Sequence, residues 1–257
     1  MSPFIEKKMA PLPALILLAA ALLCCLSAAP AAAEERLGRS LQALVVTTAD
    51  WPSGDASLQL YERTDTRSLW APAGQSIPAV VGRNGLAWGS GIHPDPPAEG
   101  PQKREGDGKA PAGIFPLGPS FGYESGKSVP WIGLPYRQMG ESDKCVDDSV
   151  SIFYNRLVEE GNGFRDWGSR EDMKRSDEQY RLGVVIGHNQ YPVAPGGGSC
   201  IFLHIWKEPS FSTSGCTALS ASDLEAILRR LRSESHPVLI QLPQAEYDRL
   251  RGPWGLP

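Results

Sequence analysis

Cys200-Ile201-Phe202-Leu203-His204-Ile205-Trp206 is an unbroken strand-like run, entered through Pro195-Gly196-Gly197-Gly198 and left through a short Pro/Ser/Thr loop. Alternate residues of a strand share a face, so Cys200, Phe202, His204 and Trp206 point one way and Ile201, Leu203 and Ile205 the other. His204 is thereby set between two aromatics, opposite an aliphatic face. The loop ends in Thr213-Ser214-Gly215-Cys216-Thr217, which puts a cysteine 12 positions after the histidine. A thiol is mostly protonated at neutral pH, and an imidazole within hydrogen-bond reach takes its proton and leaves a nucleophilic thiolate. Gly215 permits a backbone conformation closed to other residues, and the amides of Ser214, Gly215 and Cys216 in such a turn converge on an oxyanion. Each residue also has a plainer reading. His204 alone is a half-buried histidine bonded to a carbonyl, and Cys216 alone is a core cysteine after a Gly turn.

A zinc site built from His188, Cys200, His204 and Cys216 is disfavoured. Cys200 and His204 lie four strand residues apart, roughly 13 Å at about 3.3 Å per residue, too far for two ligands of one ion. No CxxC or HExxH pattern is present.

Working outward, residues 43–47 and 58–63 read as strands, the second with a period of two, and 76–81 as another. Residues 82–126 are rich in Gly and Pro and read as one long irregular stretch, of the kind used as a lid or substrate loop. Ser169-Arg170-Glu171-Asp172 resembles a capping box opening a helix to about Tyr180, followed by a strand over 182–186 that leads to His188 and Asn189. After Cys216, Ser220 caps a helix whose Leu224, Ile227, Leu228 and Leu231 fall at helical spacing, with Arg229, Arg230 and Arg232 complementing its C-terminal dipole. A strand over 238–242 and a short helix over 245–251 close the chain. Mostly strands with one packed helix near Cys216 predict a mainly β, α+β fold, a sandwich or barrel.

Composition narrows the function class. Residues 1–33 combine Lys7 and Lys8, an apolar stretch over 12–23 and Ala31-Ala32-Ala33, the pattern of a cleaved signal peptide and an exported protein. The apolar stretch is shorter than the roughly 20 residues of a membrane span, so no stable span is expected after cleavage. Cleavage removes Lys7, Lys8 and Glu6, taking the net charge from -4 to -5. A mildly acidic chain without long basic runs is a poor nucleic-acid binder. The remaining 34–257 read as one domain, and its 27 Gly and 23 Pro (counted over the whole chain) favour turns and short strands. Three cysteines survive, Cys145, Cys200 and Cys216. With Cys216 as the working thiol, Cys145 and Cys200 are the possible disulfide, two buried free thiols being the alternative.

Phe202-Leu203-His204 with Thr213-Ser214-Gly215-Cys216 resembles the signature of the L,D-transpeptidase catalytic domain (YkuD type), a strand histidine and then a Ser/Thr-x-Gly-Cys turn. Ala110-Pro111-Ala112-Gly113-Ile114-Phe115 resembles that family's Thr-Pro-x-Gly-x-Phe strand entry, and the likeness covers roughly 77–242. It implies a β-rich catalytic domain without metal or cofactor, with Cys216 as nucleophile and His204 as base. Ile205 would lend the backbone carbonyl that orients the base, and Ser214, Gly215 and Cys216 would form the oxyanion turn. Cys216 would attack the carbonyl of the third residue, a diamino acid, of a peptidoglycan stem and expel D-Ala. An amine of a second stem would resolve the thioester to a 3-3 cross-link in the periplasm or cell wall.

Two positions depart from the pattern: Ser214 stands where His is common, and Ala218 where Arg or Asn is usual, which removes a group expected to hold a substrate carboxylate. Arg83, Lys103, Arg104 and His188 are the candidates to replace it. The insert over 121–183 has no counterpart in the pattern and is a possible lid. Water in place of the amine would make the same dyad a stem-peptide hydrolase, and a noncatalytic wall-binding domain is the reading from another class.

Overall fold

The computed structural model describes residues 1, 37–94, 99–161 and 163–257, so the expected leader lies, but for Met1, outside the described residues. Among the described residues, fourteen strands and two α-helices follow in order: β1 (Gln42–Thr48), β2 (Asp55–Glu62), β3 (Ala71–Pro72), β4 (Ile77–Val80), β5 (Leu86–Trp88), β6 (Ala110–Gly122), β7 (Tyr136–Gln138), β8 (Asp143–Cys145), β9 (Leu157–Glu159), β10 (Glu171–Asp172), β11 (Leu182–Ile186), β12 (Phe202–Ile205), β13 (Thr217–Leu219), α1 (Ala221–Leu228), β14 (Val238–Pro243) and α2 (Gln244–Trp254). The main sheet runs β1-β14-β6-β11-β12-β13-β4-β2, and β2 pairs back onto β1, which closes it into a barrel. Closure leaves none of these staves with a free edge.

The barrel's staves carry the aliphatic core. Leu44 and Val46 of β1, Ile114 of β6, Val184 of β11, Leu203 of β12 and Ile240 of β14 are all buried in one cluster, each such side chain contributing about 1.5–3 kcal/mol. Helix α1 adds Leu224, Ile227 and Leu228 to that cluster against β11 and β12. It starts where Ser220 Oγ accepts from the Asp223 amide at 3.1 Å. Arg232, just past its end, donates to the Arg229 carbonyl, while Arg229 pairs with Glu225 and Arg230 with Glu62. The opposite face of β12 belongs to a second cluster holding Phe121, Cys145, Tyr180, Cys200, Phe202 and Cys216. The two faces of one strand thus divide structure from site.

Two sequence expectations are corrected. The long irregular stretch over 82–126 contains β5 and the 13-residue strand β6, a central stave between β14 and β11. Its Gly and Pro content suggested loop, but the glycines mark close approaches. A Cβ on Gly113 would meet the His93 ring at 2.1 Å, and one on Gly118 would meet Val185 at 3.2 Å. The expected helix over 169–180 is instead β10 followed by turns. Asp172, whose spacing from Ser169 suggested a cap, pairs with Lys144 of β8 at 2.8 Å. The insert forms a three-stranded sheet, β10-β8-β9, beside the barrel. Among the described residues no helix is long and apolar enough to cross a membrane.

Candidate active site

Strands β12 and β13 run parallel, with Leu203 opposite Thr217 and His204 opposite Ala218. One step upstream Cys216 falls beside Phe202, whose amide donates to Cys216 Sγ at 3.3 Å. Phe202 and His204 share a face, so Cys216 and His204 are diagonal neighbours on it, and both line one cavity of about 580 Å³.

His204 is 4% exposed and its Nδ1 meets the Ile205 carbonyl at 2.8 Å. A carbonyl only accepts, so Nδ1 carries the hydrogen and Nε2 presents a bare lone pair. The Tyr180 ring packs edge-on against the imidazole at 5.1 Å. Burial holds the imidazole down to about 4. Burial also pushes the Cys216 thiol up to about 12, the nearby Glu171 carboxylate adding to it and the Phe202 amide opposing it. Both shifts favour the uncharged form, so Cys216 rests as a neutral thiol, donating to the Cys200 carbonyl at 3.5 Å, and His204 as a neutral imidazole.

The turn before β13 is fastened by Thr213, whose Oγ1 donates to the Cys216 carbonyl at 2.6 Å and accepts from the Gly215 amide at 3.1 Å. The Gly215 amide, expected among the oxyanion donors, is thereby engaged within the turn. A Cβ at position 215 would sit 3.1 Å from the Lys109 carbonyl, a close approach that glycine accommodates. Ser214 Oγ accepts from Arg83 Nη1 at 3.0 Å, which brings Arg83 into the cavity wall.

Other expected residues distribute unevenly. Cys145 and Cys200 form a disulfide, with Cα atoms 5.9 Å apart, tying β8 of the insert to the entry of β12. With its sulfur spent there, Cys200 has no thiolate to offer a metal. His188 is not brought to the cavity: it is 1% exposed, Nδ1 accepts from the Ser90 amide at 3.2 Å and Nε2 meets the Gly197 carbonyl at 3.0 Å. Both ring nitrogens serve the backbone, so a substrate-binding role for His188 is corrected to a structural one. Lys103 lines the cavity but its Nζ is held by Asp107 at 2.7 Å, whereas Arg104 does not line it. Ala218 is fully buried in the strand and offers no polar group.

The wall facing Cys216 was not foreseen. Glu171, Arg175 and Tyr180 come from the segment expected to be helical, and Tyr180 donates to Glu171 Oε2 at 2.6 Å. Arg175 lies over the Tyr180 ring at 5.0 Å and pairs with Asp177. No spacing in the sequence marks these residues, since each reaches the cavity through turns.

A family model for the L,D-transpeptidase catalytic domain matches residues 58–240. The chain belongs to the L,D-transpeptidase catalytic domain family. The match includes the staves β4, β6, β11, β12 and β13 whole and parts of β2 and β14, β1 lying upstream, and it takes in Cys216 and His204. Among solved structures, the helical cell shape determining protein Pgp2 from Campylobacter jejuni is similar over 79% of this chain, at 14% identity and a TM-score of 0.41. The match takes in 48% of that chain, so this L,D-transpeptidase domain protein corresponds to about half of its length. Comparison with curated proteins gives no match.

Proposed function

We propose that this protein is an exported cysteine acyltransferase acting on peptidoglycan stem peptides, with Cys216 as nucleophile and His204 as general base. The observation that carries the reading is the 2.8 Å contact of His204 Nδ1 with the Ile205 carbonyl, on a residue that shares a cavity with Cys216. With Nδ1–H given to the Ile205 carbonyl, Nε2 is the ring nitrogen left to act as a base, and His204 lines the cavity that Cys216 lines. Attack then starts from the neutral pair. As the sulfur bonds to the carbonyl carbon of the stem's third residue, its proton passes to Nε2, and the oxyanion is met by the amides of Ser214 and Cys216. Collapse breaks the C–N bond to D-Ala, whose nitrogen takes the proton from Nε2 and leaves a thioester. A side-chain amine of a second stem attacks the thioester, gives a proton back through Nε2, and releases Cys216 with a 3-3 cross-link formed.

Arg83 is the group we assign to the substrate carboxylate in place of the residue missing at Ala218. It is the cavity arginine tied to the turn itself, and its partner there, Ser214 Oγ, is neutral. The insert, wall of the cavity opposite Cys216, acts as its cover.

Incubation with purified muropeptides and mass analysis of the products tests the reading. Dimers with loss of D-Ala support transfer, and trimmed monomers alone replace it with hydrolysis. Unchanged muropeptides, or activity surviving Cys216→Ala, reject the nucleophile.

A further inference from the structure

Resting on Cys216 as the nucleophile, we propose that Tyr180 and Glu171 are positioning residues that control the ionisation of Cys216, the thiolate and the Glu171 carboxylate competing for the single hydroxyl hydrogen of Tyr180. The geometry is specific. The Tyr180 ring is wedged between Phe121 at 6.0 Å, Phe202 at 5.5 Å and His204 at 5.1 Å, all edge-on, which leaves its hydroxyl little freedom but rotation about the C–O bond. Phe202 is the residue whose amide already touches the sulfur. The hydroxyl donates to Glu171 Oε2, and Tyr180, Glu171 and Cys216 line one cavity, with Tyr180 and Cys216 in the same buried cluster.

The other charged groups around the sulfur have partners elsewhere. Arg175 is held by Asp177 and Lys103 by Asp107. Arg83 is turned to Ser214, and Glu105 accepts from Ser199 at 2.7 Å and from Tyr154. Lys207 caps the Phe211 ring at 4.5 Å. Asp147 shares the insert wall with Glu171, and His204 is the base itself. Burial holds the Glu171 carboxyl above its ordinary range, the Tyr180 hydrogen bond opposing it and the charges of Asp147 and Glu105 adding to it.

Two states follow. With Glu171 ionised, the Tyr180 hydrogen lies on Oε2, the nearby negative charge opposes a second one on sulfur, and Cys216 remains a thiol. With Glu171 protonated, the carboxyl donates to the phenol oxygen and the Tyr180 hydrogen turns to the sulfur, which is then held as thiolate once its own proton has gone to His204 Nε2. No proton is gained or lost by Tyr180 in either state.

The test measures the thiol itself. Alkylation of Cys216 by iodoacetamide is followed at a fixed pH of about 8, by mass analysis of the peptide carrying it, in the full chain with the disulfide intact. Ultraviolet thiolate absorbance checks that access is not the variable. Glu171→Gln removes the charge and leaves the Tyr180 hydrogen for sulfur, so the rate should rise about tenfold, the equivalent of one pKa unit. Tyr180→Phe keeps the ring and removes the donor, so the rate should fall by a similar factor. In the double variant the rise should shrink. A packing role for the pair would move both variants the same way, and that result, or no change in either, overturns the inference. Glu171→Asp, which keeps the charge, serves if Glu171→Gln does not fold, and should stay within about twofold of wild type; a tenfold rise there rejects charge as the cause. No stem peptide is present, so failure of muropeptide turnover leaves this result intact.

Discussion

Thr213 shows how much a single hydroxyl does at the turn before Cys216. Its Oγ1 donates to the Cys216 carbonyl and accepts from the Gly215 amide, fixing the peptide plane before Gly215 and the one after Cys216. Thr213→Val keeps the shape and removes both bonds. We expect a loss of kcat of about tenfold or more, with a stability cost of about 1–3 kcal/mol, read by muropeptide kinetics and urea unfolding. Arg83 belongs to the same scale. If it holds the substrate carboxylate, Arg83→Gln raises KM about tenfold and leaves kcat within about threefold, because the charge acts on bound and reacting substrate alike. A drop in kcat at constant KM would assign Arg83 to the turn through Ser214 instead. That His204 lies on a strand and Cys216 in the turn before the next one was legible in the sequence, and the structure places both on one cavity. Their neutral resting state was not, since it depends on how deeply neighbouring chain buries them.

At the scale of elements, the insert is joined to the barrel by the Cys145–Cys200 bond, which closes a loop of 55 residues in sequence. Chain entropy alone gives such a link about 4 kcal/mol, an upper figure. Cys145→Ser with Cys200→Ser should therefore lower unfolding free energy by about 2–4 kcal/mol in urea titration. It should also release the segment that carries Glu171 and Tyr180, seen as faster amide exchange there than in β11 or β14. Equal exchange in both proteins would show that the sheet β10-β8-β9 holds its place without the bond. The helix expected over 169–180 failed for a tertiary reason: Lys144 and Tyr180 offer Asp172 and Glu171 partners that a helix would forgo. Helix α1, by contrast, followed its sequence, because Ser220 caps it locally and its apolar positions repeat at 3.6 residues.

For the whole molecule, acid acts on two buried imidazoles. Burial holds His188 and His204 near 4, against an ordinary value of 6.5. A histidine depressed in the folded state protonates first in the unfolded chain, so its contribution is fully present above about pH 6.5 and is lost as pH falls to about 4. The loss is about 3 kcal/mol for each residue. Urea unfolding at about pH 7 and pH 4 should show this drop, and His188→Gln should remove near half of it. A flat profile would mean that water reaches these rings. Cys216 works the other way: its contribution is complete below the ordinary thiol value of 9 and is lost as pH rises through about 12. From the chain alone come the alternation of β12, the Gly-Cys turn, the cap at Ser220 and the family these identify, all properties of residues close in sequence. Only the tertiary structure decided that a Gly- and Pro-rich stretch becomes a central stave, that His188 is structural, and that Glu171 and Tyr180 face the thiol. Those outcomes depend on which distant residues fill the space beside each group, and no local pattern encodes that.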